Sequence, residues 1–401
     1  MVETLGQIAA WVFWTAAGLL VYTYVGYPTL VRAAARAFPR EHCVADIEPS
    51  VSLLIPARNE AEVIGAKVRN ALSLDYPREK LQIRVISDGS DDGTDEIVGE
   101  YLSAGVELQR VEEWGGKPNA LNVAVPQATG EILVLCDANT MFDVAAIRSL
   151  VRHFVDGAVG AVTGNVLLRC SEVSYGQGES LFYRMERNLA AHESAVWTAL
   201  GVDGGMYALR QALYVPNRPD TLADDFALAM NIARTGARIL YDPEAKAYED
   251  AVESPAQEFR RRARTVAGGF QALFEGLGRP RWNQPLLWLA YLSHKVLRWF
   301  GPFLLILALT GNVLAVCLLD PRRPSWLIYC TLLALQGLLY LLALAGVLMG
   351  RRRMPSVVSC PYCFCLANAA ALAGFLTWLS GRQSVRWCHA DRGQPVDPMS
   401  R

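Results

Sequence analysis

The sequence Ile132-Leu133-Val134-Leu135-Cys136-Asp137-Ala138-Asn139 lies at the centre of this 401-residue chain. Its first five residues are apolar, which is typical of a strand that is buried on both faces of a parallel sheet. Asp137 follows this run at once, and the amide of Asn139 comes two positions later. Side chains two apart in an extended segment point the same way, and ligands bind beyond the carboxyl ends of such strands. We therefore expect both residues to face one ligand, with a turn-forming aspartate as the simpler alternative.

The composition predicts a soluble domain combined with membrane segments. Hydrophobic residues make up 52% of the chain and charged residues only 19%, which is too apolar for an ordinary soluble protein of this length. The formal net charge of −1 gives no indication of a nucleic-acid partner. The nine cysteines follow no disulfide pattern, so we expect them to be reduced and the soluble domain to be cytosolic.

The amino-terminal apolar segment, residues 7–31, is long enough to span a bilayer, and Arg32, Arg36 and Arg40 follow it. By the positive-inside rule, these arginines place the next domain in the cytoplasm. Behind that domain, residues 257–274 carry four arginines together with apolar side chains. This pattern predicts a basic amphipathic helix on the membrane surface, and a solvated charged face is the alternative.

Three more apolar segments follow. Residues 285–319 divide into an interfacial helix to about residue 298 and a span from about residue 301. Residues 326–349 form a clear span, with an arginine run at 351–353 at its cytoplasmic end. Residues 357–379 either span, which puts the basic tail outside against the charge rule, or re-enter, which keeps the tail inside.

The chain thus divides into five parts. They are an N-terminal transmembrane helix with a basic linker (1–48), a cytosolic domain (49–255), interfacial amphipathic helices (256–298), C-terminal transmembrane segments (299–380) and a basic tail (381–401). Within the cytosolic domain, apolar strands alternate with helical periodicity, which is the pattern of βαβ units. The predicted fold class is therefore α/β, with a mainly parallel central sheet flanked by transmembrane helices.

Acidic residues follow several of these elements and are expected to meet in one cleft. Asp88 ends the second strand, Asp137 and Asn139 end the fourth, and Asp224 and Asp225 begin a later helix. Such oxygen ligands suit Mg²⁺ or Mn²⁺, and a separate carboxylate can remove a proton from an acceptor hydroxyl. The pattern favours transfer of a group from a nucleoside diphosphate, with helix capping as the alternative for the last pair.

Five segments occur in the order found in membrane-integrated family-2 glycosyltransferases, the GT-A-fold relatives of cellulose, chitin and hyaluronan synthases. The sequence resembles this family over about residues 51–274. The segments are residues 51–60, Asp88-Gly89-Ser90, residues 117–122, Asp137-Ala138-Asn139 and Ala223-Asp224-Asp225.

The resemblance implies a nucleotide-sugar site and a metal site. Asp88 would contact the uridine part, with Glu60 and Ala57 in the same pocket. Lys117 would lie near the diphosphate. Asp137 and Asn139 would stand at the DxD motif, which binds the ribose and the metal.

The resemblance also implies an acceptor site and a general base. Asp224 and Asp225 match the end of the catalytic TED motif, and Asp225 would be the base. The acceptor's terminal sugar would dock at Asp203, Gly204 and Gly205.

Two departures from the family pattern matter. The second DxD carboxylate is the amide of Asn139, which can bind a hard cation but lacks the charge. The family's QxxRW motif keeps its arginine as Arg264, a clamp on the diphosphate, but its tryptophan is Thr265. Without this aromatic residue, the position lacks a platform on which successive sugars can stack, which disfavours processive chain growth.

These features predict an inverting glycosyltransferase that uses a UDP-sugar and Mg²⁺ or Mn²⁺ to build or extend a cell-surface polysaccharide or exopolysaccharide. It would be a multi-pass protein of the cytoplasmic membrane, surrounded by lipid, with other polysaccharide synthesis or export subunits as candidate partners. An alternative is transfer of a single sugar to a lipid acceptor. A third, favoured only by Asn139, is a catalytically inactive nucleotide-sugar sensor or assembly subunit.

Overall fold

The computed structural model describes residues 1–169, 177–250, 255–350 and 354–381 of the chain. The arginine run at 351–353 and the basic tail beyond residue 381 lie outside these ranges. Their predicted positions relative to a membrane therefore stay predictions.

One mixed sheet forms the centre of the soluble domain. Its strands are rich in aliphatic residues, which suit positions that are buried on one or both faces of a sheet. The strands are β1 (Val51–Ala57), β2 (Leu81–Asp88), β3 (Val106–Val111), β4 (Ile132–Cys136), β5 (Met141–Phe142), β6 (Val159–Arg169), β7 (Met206–Arg210) and β8 (Arg238–Asp250).

The strands lie in the order β3-β2-β1-β4-β7-β6-β8-β5. The first four are parallel neighbours, as are β6 and β8, whereas β7 is antiparallel to β4 and β6, and β5 is antiparallel to β8. The predicted α/β fold with a mainly parallel sheet is confirmed. Val51 pairs with both Leu81 and Ile132, so the carboxyl ends of β1, β2 and β4 lie at one edge of the sheet.

Two features at the far edge of the sheet differ from the prediction. The sequence predicts a last strand over residues 238–241 only, whereas the observed strand continues to Asp250, because alternate side chains such as Ala245 and Ala247 stay buried between more exposed neighbours. Its end pairs with the two-residue strand β5, in which Met141 lies opposite Tyr248. A pair this short leaves no periodicity from which the sequence could predict it.

The α-helices of the described ranges surround the sheet and extend beyond it. In chain order they are α1 (Val2–Val21), α2 (Tyr27–Ala37), α3 (Ala61–Leu72), α4 (Thr94–Gly99), α5 (Lys117–Ala124), α6 (Ala146–Val151), α7 (Gln177–Val196), α8 (Asp224–Arg234), α9 (Pro255–Glu275), α10 (Pro285–Ala290), α11 (Leu297–Trp299), α12 (Gly301–Leu318), α13 (Pro324–Met349) and α14 (Ser356–Leu379).

Buried apolar side chains form a layer on each face of the sheet. In β4, Ile132 and Val134 belong to the layer that includes α3 and α6, while Leu133 and Leu135 belong to the layer that includes α5 and α8. Every residue of β4 is buried, as its continuous apolar run predicts. Its first acidic side chain therefore comes beyond the end of the strand, at the edge of the sheet.

Four helical segments, residues 2–37, 301–318, 324–349 and 356–379, are long and apolar enough to cross a membrane. They correspond to the four predicted apolar segments, and the predicted division before Gly301 is present between α11 and α12. Glycine allows two of these helices to approach closely. A β-carbon at Gly311 of α12 would lie 2.9 Å from the carbonyl oxygen of Ala9 in α1.

A cluster of buried polar side chains attaches the soluble domain to the apolar helices. Glu193 of α7 accepts a hydrogen bond of 2.8 Å from the Tyr27 hydroxyl, and its Oε1 also lies 2.8 Å from His294 Nδ1. Glu186, two turns earlier in α7, forms an ion pair with Arg298. Because unpaired charges are costly to bury, these contacts fix α7 against the helices that precede the span at Gly301.

Candidate active site

Asp137 follows β4 and forms an ion pair with Lys117, the first residue of α5. Lys117 Nζ lies 2.6 Å from Asp137 Oδ1 and 3.4 Å from the carbonyl oxygen of Gly204. The lysine side chain is 9% exposed and the aspartate side chain 40%, so the pair lies on the wall of an open cleft. Burial by itself lowers the pKa of Lys117, but the carboxylates of Asp137, Asp224 and Asp225 outweigh it and raise this pKa. Lys117 therefore stays a cation.

Asp88, the last residue of β2, holds the loop that leads to Lys117. Its buried carboxylate accepts the backbone N–H groups of Gly115 at 3.0 Å and Gly116 at 2.7 Å. Gly116 has a φ of +84°, which side chains of L-residues disfavour, so a glycine is required at this turn. The contact of Asp88 with uridine stays a prediction. The structure adds a second role, because Asp88 positions the start of α5.

Gly204 lies between Lys117 and Asp225. A β-carbon at Gly204 would lie 3.0 Å from Asp225 Oδ2 and 3.7 Å from Lys117 Nζ, so a side chain there would press against the Asp225 carboxylate. The antiparallel strand β7 creates this contact. Met206 at its start pairs with Cys136 at the end of β4, and the residues before β7 therefore lie beside those after β4.

The acidic pair Asp224 and Asp225 begins α8 in the same cleft. Burial raises the pKa of Asp224 to about 6, against the opposite effect of Lys117. Its Oδ2 is buried without a hydrogen-bond partner among the described residues. Burial also raises the pKa of Asp225, again against Lys117, while its Oδ1 accepts the N–H of Phe226 at 2.7 Å. The hydrogen bond from Phe226 to Asp225 suits the capping alternative, and the raised pKa values of the two carboxyl groups suit a general base.

Asp203 and Gly205 form the adjacent wall of the cleft. The N–H of Asp203 donates to the hydroxyl of Thr163 at 2.8 Å, and the Asp203 carboxylate accepts the N–H of Gly205 at 3.0 Å. The Asp203 side chain is exposed on one side, but protein atoms around the rest of it keep water away. This enclosure raises the pKa of Asp203 to about 7, with the hydrogen bond from Gly205 opposing the shift and Glu249 and Asp225 adding to it. Acceptor binding by these residues stays a prediction.

The donor atoms of Asp137 and Asn139 fit a divalent cation. The two residues lie in a turn, in which the carbonyl oxygen of Asp137 accepts the N–H of Thr140 at 3.3 Å. Within the described ranges, only one carboxylate oxygen of Asp137 is engaged, by Lys117, and Asn139 Oδ1 has no hydrogen bond. Oxygen donors of this kind suit Mg²⁺ and Mn²⁺. No group of three or more His, Cys, Asp or Glu residues in the described part could hold a metal by itself. A metal here would therefore need ligands from a nucleotide diphosphate or from water.

The predicted nucleoside pocket lies where the loops after β1 and β2 meet. Ala57 is the buried last residue of β1, and Glu60 precedes α3. The two loops are joined by a hydrogen bond of 2.9 Å from the N–H of Glu60 to the hydroxyl of Thr94 and by paired contacts between Asn59 and Asp91. These bonds make a continuous wall beside the end of β2, where the prediction puts the uridine.

Arg264 and Thr265 lie exposed on α9. Arg264 has no ion pair among the described residues, yet it lies near enough to Asp225 to lower the pKa of that carboxyl. The hydroxyl of Thr265 donates to the carbonyl oxygen of Arg261 at 3.1 Å. The threonine thus caps its own helical turn and offers no aromatic face to a sugar.

Two residues near the site were missed in the sequence. Arg58 lies within a segment that carried the resemblance, donates to the carbonyl oxygen of Asp88 at 2.7 Å and stacks on Trp114 at 4.1 Å. Glu249 accepts a hydrogen bond of 3.0 Å from Asn139 Nδ2. It lies beyond the predicted end of its strand, so no local pattern could have connected it with Asn139.

Comparisons with known proteins identify the family and the fold of the chain. A family model described as "Glycosyltransferase like family 2" matches residues 49–268. The poly-beta-1,6-N-acetyl-D-glucosamine synthases of Staphylococcus aureus and Staphylococcus epidermidis are each 28% identical, over 232 and 229 residues. Each alignment covers 56% of this chain and 55% of the relative, so the chain spans about half the length of these curated relatives.

A solved structure is similar over nearly the whole chain. It is the mannosyltransferase PcManGT from Pyrobaculum calidifontis in complex with GDP-Man and Mn²⁺, with a TM-score of 0.70 at 24% identity. The superposition covers 94% of this chain and 100% of that one. This likeness concerns the fold, and the predicted GT-A-type fold is confirmed. Because the family model covers more than half of the sequence, the chain belongs to glycosyltransferase-like family 2.

Proposed function

We propose that this chain is an inverting glycosyltransferase that uses a UDP-sugar to build a cell-surface polysaccharide or exopolysaccharide. The proposal depends mainly on the position of Gly204, where an added β-carbon would contact both Asp225 Oδ2 and Lys117 Nζ. Lys117, a cation that suits a leaving diphosphate, and Asp225, a carboxylate that can act as a base, therefore lie close to the same residue. The polysaccharide synthases among the relatives support a polymeric product.

The mechanism is a single displacement. The acceptor hydroxyl binds beside Asp203 and Gly204, and Asp225 takes its proton as the oxygen attacks the anomeric carbon. The bond between this carbon and the diphosphate oxygen breaks, UDP departs, and attack from the opposite face inverts the anomeric configuration. Lys117 and Arg264 stabilise the charge that develops on the leaving group. Asp137 and Asn139 would hold Mg²⁺ or Mn²⁺, which neutralises diphosphate charge when bound.

Membrane attachment follows from the four apolar helical segments. We propose that they make the protein multi-pass in the cytoplasmic membrane, with the catalytic domain in the cytoplasm, where UDP-sugars are available. The basic residues after the first segment support this orientation. Membrane lipids, the saccharide acceptor and other synthesis or export subunits are the partners that this placement allows.

A donor screen tests the proposal. Full-length protein in detergent micelles is supplied with Mn²⁺ and, separately, UDP-N-acetylglucosamine, UDP-glucose, UDP-galactose and UDP-glucuronate, and both UDP release and product size are measured. We expect UDP-N-acetylglucosamine to give UDP and a ladder of long products. Tight UDP binding without turnover on any donor would instead identify a nucleotide-sugar sensor.

The role of Asp225 is tested by Asp225→Asn. We expect this variant to bind UDP-sugar with the affinity of the unmodified protein and to lose transfer, because an amide cannot take the acceptor proton. Asp220→Asn is the matched control, since Asp220 is an exposed residue whose carboxylate pairs with Arg218. Normal turnover by Asp225→Asn would exclude this carboxylate as the base.

A specific observation favours a second candidate, the transfer of one sugar to a lipid phosphate. Lys295 lies in the helical stretch Tyr291–Val296 between α10 and α11, just before the span at Gly301. It forms no ion pair or hydrogen bond with any described residue, and its Nζ would lie 3.9 Å from a β-carbon at Gly201. The carboxylates of Glu186, Glu193 and Asp225 act on Lys295 only from beyond ion-pair distance. A lysine without a direct ion pair among the described residues, beside the acceptor wall, suits a phosphate, and the non-aromatic Thr265 suits a single addition.

Product extraction separates the two candidates. With a polyprenyl phosphate as the acceptor, the second candidate predicts that labelled sugar moves into the organic phase as a product with one added residue. Lys295→Gln should then weaken transfer to this acceptor. Long water-soluble products that form equally well with Lys295→Gln would leave the polymer synthase as the sole candidate.

A further inference from the structure

Asn139 stands where the family motif has a second carboxylate, and in the structure it contacts the carboxylate of Glu249. Asn139 follows β4, and Glu249 lies 110 residues later, near the end of β8. The pairing of Met141 with Tyr248 brings these two segments together. Asn139 Nδ2 then lies 3.0 Å from Glu249 Oε1.

The chemistry of this contact determines how the amide is oriented. An ionised carboxylate only accepts hydrogen bonds, so the NH₂ group of Asn139 must face Glu249. The two ends of an amide point in different directions, and Asn139 Oδ1 therefore points away from Glu249. Among the described residues this oxygen has no hydrogen-bond partner, so it is available as a ligand.

Glu249 also brings a negative charge within one hydrogen bond of the amide. An aspartate at position 139 would have carried this charge itself. In this chain, position 139 is a neutral amide instead, and its NH₂ group is hydrogen-bonded to a carboxylate. A carboxylate that holds a metal ligand in this way fixes its orientation and strengthens metal binding.

We propose that Glu249 is a positioning residue for the divalent cation: it holds Asn139 with Oδ1 towards the metal and supplies the negative charge that the amide lacks. The inference rests on the proposed metal-dependent transfer from a nucleoside diphosphate. It implies that Asn139 and Glu249 act as one unit, equivalent to a single charged ligand. It also predicts that the charge can be moved from one residue to the other.

The test measures the affinity of the full-length protein for Mn²⁺ in the presence of saturating UDP, from the electron paramagnetic resonance signal of free Mn²⁺. Glu249→Gln should lower this affinity by roughly 10- to 100-fold, the usual cost of losing such a partner. The double variant Asn139→Asp with Glu249→Gln puts the charge on the ligand and an amide behind it. It should restore most of the affinity.

Glu244→Gln is the matched control, because Glu244 lies in the same strand and pairs with the surface residue Arg152. It should bind Mn²⁺ like the unmodified protein. Thermal unfolding of all variants shows whether any loss of affinity reflects loss of fold, and the restored double variant would exclude that explanation.

The outcomes separate this inference from the proposed function. Unchanged Mn²⁺ affinity in Glu249→Gln overturns the inference alone, as does a double variant that binds as weakly as Glu249→Gln. Failure of the unmodified protein to bind Mn²⁺ in a UDP-dependent way overturns the inference together with the proposed metal dependence. If the Glu249 variants bind Mn²⁺ like the unmodified protein, the proposed Mn²⁺-dependent transfer is not contradicted.

Discussion

Replacing Lys117 by methionine should raise the pH at which the proposed base becomes protonated. Lys117 is the cation that opposes protonation of Asp224 and Asp225, whose pKa values burial already raises. The general base must be deprotonated, so transfer is lost as the pH falls through its pKa. Because burial raises the pKa of Asp225, the unmodified protein should lose kcat/KM at a pH above the range in which an ordinary carboxylate is protonated.

The size of the shift follows from the geometry at Gly204. Its β-carbon position lies 3.0 Å from Asp225 Oδ2 and 3.7 Å from Lys117 Nζ, so these two charged atoms are at most about 6.7 Å apart. At this separation and an effective dielectric constant of about 20, the attraction is about 2.5 kcal/mol. Loss of this attraction would raise the pKa of Asp225 by about two units. Solvent in the cleft reduces this value, so we expect the acid limb to move up by about one to two units.

The assay is UDP release at low donor concentration across a pH series, which reports kcat/KM and therefore the pKa of the free enzyme. Lys117→Arg is the matched control, because it keeps the positive charge and should leave the acid limb close to that of the unmodified protein. Lys117→Met will also lower the rate at every pH, since the diphosphate loses a counter-charge. An acid limb that does not move in Lys117→Met would refute the electrostatic coupling between this lysine and the base.

Three further predictions concern close contacts and the metal. Gly204→Ala should reduce transfer by roughly 100-fold without loss of UDP affinity, because its methyl group would displace Asp225 Oδ2; Gly157→Ala, which has open space, is the control, and near-normal transfer by Gly204→Ala would contradict the proposed site. Gly374→Val should destabilise the protein by about 1 to 3 kcal/mol and so lower its unfolding temperature in detergent, because a β-carbon there would lie 2.5 Å from a carbonyl oxygen of α9. Gly337→Val on α13 is the control and should have little effect, because a β-carbon there meets no neighbour. Equal unfolding temperatures of the two variants would argue against tight packing of α14 on α9. Removal of divalent cations with a chelator should stop UDP release, and added Mn²⁺ should restore it; turnover that persists in the chelator would contradict the metal dependence.

Local sequence determined the central strand and the apolar helices. The five residues of β4 are apolar and all of them are buried, because a strand between two helical layers has no polar environment on either face. The four apolar segments likewise became helices of membrane-spanning length, because backbone groups in such segments are satisfied within the helix itself. The position of Asp137 at the carboxyl end of its strand followed from the same reasoning.

The contacts that make the site depend on strand pairing over long distances in the chain. The antiparallel register of β7 puts Gly204 against Lys117 and Asp225, and the short pairing of β5 with β8 puts Glu249 against Asn139. Neither register leaves a local pattern, because it is set by how the two apolar layers pack around the sheet. The residue types around Asp137 therefore revealed the chemistry, whereas the partners of Lys117 and Asn139 became apparent only from the folded chain.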